Sequence, residues 1–347
     1  MLERNVYEHY YLFSDERFIV GQYEAFLAGD SLYLVVPAEN SAHLPLEEML
    51  RMVHFLQQQG EKGVPELVFT NKKQERAYID GQEALLFKIP NDCNERGEIE
   101  SRERIARLGF ELATFHERGQ NYTSGQGEHL LYQQWKDSWI MRLEQLERWY
   151  TRLLKSKGIQ EFDEAFIMTF PYYLGMTENA IQYVTDCELD EPNWAYDEPT
   201  IAHVSFHDRS WLFMNEASEP LKLPTQMIVD VPSRDIAEYM RDVLLNEESP
   251  EEKIPSFIYD YEQVRPLDRR SWRKIYARLL FPLHYFETVE GFYASQLEVS
   301  KQFYAKRFFH LLGEEGKHEQ FFQRYFHSLQ SMRSDLGGLT VDWHRYQ

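Results

Sequence analysis

The sequence predicts an α+β chain in two lobes: a small antiparallel β lobe with one helix over residues 1–90, then a large, mainly helical lobe over residues 91–347. Three observations predict it. Short runs rich in β-branched and aromatic residues crowd the first ninety positions. A polar, turn-rich stretch from Pro90 to Gly97 follows, with the composition of a linker. Beyond it, apolar residues recur at helical spacing almost to the end.

In chain order, Phe18–Val20 and Leu32–Val36 read as strands, with a turn signal at Ala28-Gly29-Asp30 between them. A helix follows. Pro45 suits its first turn, and Leu46, Met49, Leu50, Val53 and Leu56 form one apolar stripe that Gly60 ends. Glu66–Phe69, Arg76–Ile79 and Ala84–Ile89 complete the sheet, the last two joined by the hairpin dipeptide Asp80-Gly81. Past the linker, helices are expected from Ile105 to Gly119 and from Trp135 to Leu153. Another runs from Phe162 to Phe170, stopping before Pro171, and a further one starts at Glu178. Residues 200–231 read as a short non-helical section. Helices resume at Asp235–Leu245, at Ser271–Tyr293 with a bend at Pro282, and at Ser300–Ser331.

Composition narrows the function classes. There are 57 acidic against 37 basic side chains, a formal net charge of −20. A nucleic-acid groove or a contact with anionic lipid needs a basic footprint, so neither partner is expected. The charge is uneven: residues 265–347 carry 13 Lys/Arg against 9 Asp/Glu, which leaves the remainder at −24. That contrast reads as a solvated helical face ahead of an intramolecular or partner contact. Cys93 and Cys187 are too few and too far apart for a disulfide scaffold or a zinc cluster. They suit a reducing, cytoplasmic setting. No signal-peptide core and no uncharged apolar stretch of membrane-spanning length is visible.

One segment carries a chemical signature. Ile201–Phe213 resembles the H-G-D-x-H-x-x-N catalytic loop of aminoglycoside phosphotransferase-like kinases, with His203 and His207 at the two histidines. The resemblance implies a protein-kinase-like fold and directs attention to the groups phosphoryl transfer needs. Those are a strand lysine on the phosphates, a glycine-rich cover, an Asp to orient the attacking hydroxyl, and Asn and Asp ligands for Mg²⁺. Here Ser205 stands at the catalytic Asp position and Ser210 at the Asn position. A serine hydroxyl is no base near neutral pH and a poor Mg²⁺ ligand beside a carboxylate. Asp208 is near but breaks the histidine register. Val36 or Pro37 holds the lysine position, so Glu47 and Glu48 on the next helix lack a basic partner and read as a solvated face. Lys72, Lys73 and Lys88 have no suitable spacing. Asp230 follows an apolar run, as the metal-binding Asp of these kinases does, yet its closeness to Pro232–Ala237 also allows a later loop position. Asp235 in that segment reads as a helix N-cap. The residues His310, Glu314, Glu315, His318 and Glu319 read as a polar helix end, and Trp135, Trp139 and Leu143 as packing core.

Longer blocks, Leu108–His116, Phe170–Val184 and Tyr276–Gly291, resemble the YutH branch of the CotS-type endospore coat proteins. That resemblance implies synthesis in the mother cell during sporulation, residence in the spore coat and other coat proteins as partners. Combined with the altered loop it implies a pseudokinase with a structural or interaction role, with no catalytic residue and no cofactor expected. The alternative is an atypical small-molecule or sugar kinase, or a nucleotide binder, using ATP and Mg²⁺ with displaced groups such as Asp208 and Asp230. The sequence leaves the oligomeric state open.

Overall fold

The computed structural model describes residues 2–41, 44–94, 101–123, 134–157, 159–191, 194, 199–214, 219–247 and 249–333. The chain packs as two compact units, each discontinuous in sequence. The first comprises residues 1–128, 198–235 and 255–266, the second residues 129–197, 236–254 and 267–347.

The first unit is built on an antiparallel sheet of six strands: β1 (Glu16–Val20), β2 (Tyr23–Ala28), β3 (Ser31–Pro37), β4 (Glu66–Val68), β5 (Arg76–Ile79) and β6 (Gln82–Lys88). Its order is β1-β2-β3-β6, and β4 and β5 both pair with the far edge of β6. The register matches Val36 with Leu85 and Leu34 with Phe87. Asp80 and Gly81 take φ of 48° and 92° in the β5–β6 turn, the left-handed pair a two-residue hairpin requires. Two elements here were not expected. Helix α1 (Leu2–Tyr10) presents Leu2, Val6 and Tyr10, one residue per turn, to an apolar cluster on one sheet face. Strand β2 follows β1 after a turn in which Gly21 has φ of 60°. The run from Glu16 to Ala28 is thus a hairpin rather than one strand and a loop.

Helix α2 (Leu46–Gln58) buries Met49, Met52, Val53 and Leu56. It ends in a Schellman motif: the Gly60 amide donates to the Gln57 carbonyl at 3.1 Å and the Glu61 amide to the Leu56 carbonyl at 2.9 Å, with Gly60 at φ 82°. This closure turns Glu61 inward. Helix α3 (Ser101–Gly119) and the two-stranded ladder of β7 (Thr200–His203) and β8 (Met227–Asp230) complete the frame of the site. Of the linker expected at Pro90–Gly97, residues 91–94 form a short 3₁₀ turn and residues 95–97 lie outside the described residues.

The remaining helices are α4 (Trp135–Leu153), α5 (Glu161–Asp190), α6 (Ser233–Asn246), α7 (Pro250–Glu262), α8 (Arg269–Leu280), α9 (Leu283–Ala294) and α10 (Glu298–Met332). Helix α5 overturns the expected stop at Pro171, running 30 residues straight through it. A proline in a helix forfeits one backbone hydrogen bond. Aromatic packing on both sides outweighs that loss: Phe162 stacks on Phe292 at 3.7 Å between centroids and Tyr173 on Tyr285 at 3.5 Å. Pro282, by contrast, separates α8 from α9, because Phe281 before it is driven to an extended ψ of 119°. Helix α7 had no counterpart in the expected pattern. Trp135, Trp139 and Leu143 are buried, as packing core.

Candidate functional site

The segment with the kinase-like signature lies wholly in the first unit. Strand β7 leads into it, and His203 sits at its entry, 1% exposed. Its Nδ1–H donates to Asp235 Oδ2 at 2.6 Å, its backbone amide donates to Asp235 Oδ1 at 2.9 Å, and its Nε2 accepts from Trp211 Nε1–H at 2.9 Å. Both ring nitrogens are thereby committed to structure, and the tautomer follows from the partners. The same Asp235 oxygen accepts from His116 Nε2 at 3.1 Å, while His116 Nδ1 pairs with the Tyr261 hydroxyl at 2.8 Å. Asp235 is therefore not the N-cap expected of it. Helix α6 begins at Ser233, so Asp235 lies in its first turn and points into the core. Burial pushes its carboxyl pKa up, but the two imidazoles outweigh burial and hold it far below the usual range. Burial lowers the His116 pKa in turn.

The loop beyond His203 closes on itself. Ser210 Oγ accepts from the His207 amide at 2.9 Å and donates to the Ser205 carbonyl at 3.2 Å, and the Arg209 amide donates to His207 Nδ1 at 3.1 Å. Asp208 lies beside the Arg209 guanidinium at 3.6 Å, with its side chain 41% exposed.

Asp230 is placed by the ladder register, which sets it opposite Thr200, while Met227 is opposite His203. Asp230 is fully buried. Its Oδ1 accepts from the Val231 amide at 2.7 Å and its Oδ2 from Arg234 Nη1 at 2.9 Å. Arg234 also donates to the His203 carbonyl at 3.0 Å and the Val204 carbonyl at 2.8 Å. One guanidinium thus ties Asp230 to the start of the loop.

Val36 is fully buried and belongs to one apolar cluster with Val20, Leu34, Leu85, Leu212, Leu221 and Leu223 among others. Gly21 in the β1–β2 turn rests on Leu212, where an added Cβ would lie 2.6 Å from the leucine Cδ2. Glu48 corrects the solvated-face reading. It is 4% exposed, accepting from the Tyr122 hydroxyl at 2.9 Å and from Arg51 Nε at 3.1 Å, whereas Glu47 stays exposed.

A buried ion pair that the sequence did not announce joins this region. Glu61, delivered by the α2 terminus, accepts from Lys222 Nζ at 2.7 Å and Arg118 Nη1 at 2.9 Å. Burial raises the Glu61 pKa, but Lys222 and then Arg118 outweigh it and the net shift is downward. Lys222 Nζ also stands 4.8 Å from the Trp211 ring centroid, a cation–π contact. Hydrogen bonds and this contact connect Glu61, Lys222, Trp211, His203, Asp235 and His116 in one buried chain. Their sequence separations hid them: Lys222 and Glu61 are 161 residues apart. Of the helix-end set on α10, the side chains of Glu315, His318 and Glu319 lie outside the described residues. Among the described residues no group of three His, Cys, Asp or Glu side chains could hold a metal ion. Nor is any described helix long and apolar enough to cross a membrane.

This combination, an antiparallel sheet with one helix inserted after its third strand and a histidine-led loop anchored by a carboxylate on the next helix, defines the kinase-like fold of aminoglycoside phosphotransferases. An aminoglycoside phosphotransferase from Alicyclobacillus acidocaldarius superposes with a TM-score of 0.65 at 12% identity, covering 92% of this chain and 93% of that one. Spectinomycin phosphotransferase, solved with ADP and spectinomycin, superposes with a TM-score of 0.59 at 14% identity, covering 88% and 92%. Within that fold the chain belongs to the family described as spore coat putative kinase YutH, whose model matches residues 3–325. The endospore coat-associated protein YutH of Bacillus subtilis (strain 168) is 36% identical over 301 residues, 86% of this chain and 85% of that protein.

Proposed function

We propose that this chain is a spore-coat-associated pseudokinase, a structural or interaction protein that keeps the phosphotransferase fold without transferring phosphate. The observation that carries this reading is the filling beneath the glycine turn. Val36, at the lysine position, joins Leu34, Leu212, Leu221 and Leu223 in one apolar cluster, and Gly21 rests on Leu212. Nucleotide phosphates need cationic and polar partners there. A fully buried valine offers neither charge nor room. The displaced carboxylates do not repair the deficit. Asp230 is held by the Arg234 guanidinium, and Asp208 sits on a turn beside Arg209. The Ser210 hydroxyl at the metal position instead closes the loop on itself, accepting from the His207 amide and donating to the Ser205 carbonyl. These residues do not fit ATP with Mg²⁺, and no catalytic step is assigned to them. Coat association rests on the family and on its Bacillus relative, and makes other coat proteins the partners.

Thermal denaturation with Mg²⁺-ATP tests the reading. A ligand at a hundred times its Kd stabilises the native state by about 2.7 kcal/mol, which for a chain of this length is about 4 °C in Tm. The expected result is no shift at millimolar nucleotide. A saturable, Mg²⁺-dependent rise that Asp230→Ala abolishes would overturn it.

A further inference from the structure

Two long helices of the second unit each leave one face in solvent, and the two faces are opposite in character. Helix α5 has no Lys, Arg or His in its 30 residues. Its outward stripe runs through Glu161, Glu164, Met168, Tyr172 and Glu178, all exposed, with Met168 at 82%. These positions fall within about a third of the helix circumference at 100° per residue. The first half of α10 is the reverse. Past Glu298 it holds no acidic residue until Glu314, and its outward stripe runs through Val299, Phe303, Lys306 and His310, flanked by Arg307 and Phe309. Val299 is 79% exposed and Phe303 60%. Lys306 has no ion pair among the described residues, and Arg307 lies near the Glu287 carboxylate on α9.

Single exposed apolar side chains are ordinary on a protein surface. An apolar stripe edged by one sign of charge, matched on the same unit by an apolar stripe edged by the other sign, is a complementary pair of surfaces. The chain-wide imbalance has the same sense, since residues 265–347 are net basic and the rest strongly acidic. We infer that these are the two halves of a self-association contact. The Val299–His310 face of α10 docks on the Glu161–Glu178 face of α5 in a second copy of this chain. Phe303 and Met168 supply the apolar centre, and Lys306 and Arg307 meet Glu164 and Glu178 at the rim. A contact between different faces of identical chains either closes into a ring or propagates. The inference stands on surface residues of one unit and is independent of the nucleotide reading.

Sedimentation velocity on the full chain tests it. At about 20 mM salt the chain sediments above the mass of one copy, and at about 500 mM, where the screening length falls below 5 Å, it dissociates. Lys306→Glu/Arg307→Glu and Glu164→Lys/Glu178→Lys each weaken association at least tenfold, and mixing the two variants restores it, because each reversed face then meets its complement. Phe303→Ser, which leaves the charges intact, weakens it as well, and far-UV circular dichroism confirms that every variant is folded. A wild-type chain of single-copy mass at both salt concentrations would overturn the inference. So would folded charge variants that associate like wild type, or a mixture that stays dissociated.

Discussion

Replacing Asp235 by asparagine removes one charge from a buried site and leaves its volume almost unchanged. The carboxylate accepts from the His203 amide at 2.9 Å, from His203 Nδ1 at 2.6 Å and from His116 Nε2 at 3.1 Å. An asparagine oxygen can keep the amide bond, but its NH₂ group then faces two imidazole N–H groups. Switching the His203 tautomer does not help, because Nε2–H would then confront the Trp211 N–H that now donates to it. His116 can switch tautomer, its Nδ1–H then donating to the Tyr261 hydroxyl, but the His203 N–H is left without an acceptor and the carboxylate charge is gone, so Asp235→Asn costs about 2–4 kcal/mol. Urea unfolding followed by tryptophan fluorescence measures this with a probe inside the network, Trp211. A loss below about 1 kcal/mol would refute the account of Asp235 as the anchor of the loop.

The same network sets a pH dependence. Burial lowers the folded-state pKa of His116 below the 6.5 of an exposed imidazole. Below that pH the unfolded chain binds a proton the folded chain refuses, so stability is present above about 6.5 and falls as pH drops. The slope from this group reaches at most about 1.4 kcal/mol per pH unit. Urea midpoints between about pH 5 and pH 7.5 should show a wild-type slope steeper than that of His116→Gln by up to one proton, and equal slopes would contradict it. Gly63→Ala should destabilise by about 2–3 kcal/mol, because the new Cβ would lie 2.0 Å from the Pro220 carbonyl oxygen. The Gly63 carbonyl accepts from the Lys222 amide at 2.8 Å, so the backbone cannot retreat without breaking that bond. Gly175→Ala, with nothing within 4 Å of its Cβ on α5, serves as the contrast and should stabilise by about 0.5–1 kcal/mol in the same melts.

Local pattern made part of this molecule readable in advance. The α2 stripe, Gly60 and the Asp80-Gly81 hairpin are decided by neighbours in sequence, and each is where the spacing puts it. The histidine-led loop was legible for the same reason, because its residues lie within one short segment. Elements whose identity depends on distant partners were not. Pro171 marks a helix end by every local rule, yet Phe292 and Tyr285, more than a hundred residues on, hold α5 together across it. Glu48 looks like a surface acid until Tyr122 is placed over it, and Asp235 looks like a cap until His116 and His203 converge on it. Lys222 offered no signal at all, since a lone lysine in an apolar stretch says nothing about a glutamate 161 positions away.

The seat of Gly21 on Leu212 bears on how freely this chain can drift. A turn that rests on a leucine derives its position from the packing of its own fold, so it holds its place through changes in solution composition that would empty a ligand-supported turn. Reintroducing one polar group beneath it, a lysine at Val36 for instance, strands an ammonium among hydrocarbon before any compensating change has occurred. Any route to a polar cavity there therefore passes through poorly folded intermediates, whereas substitutions among apolar residues of similar size cost little.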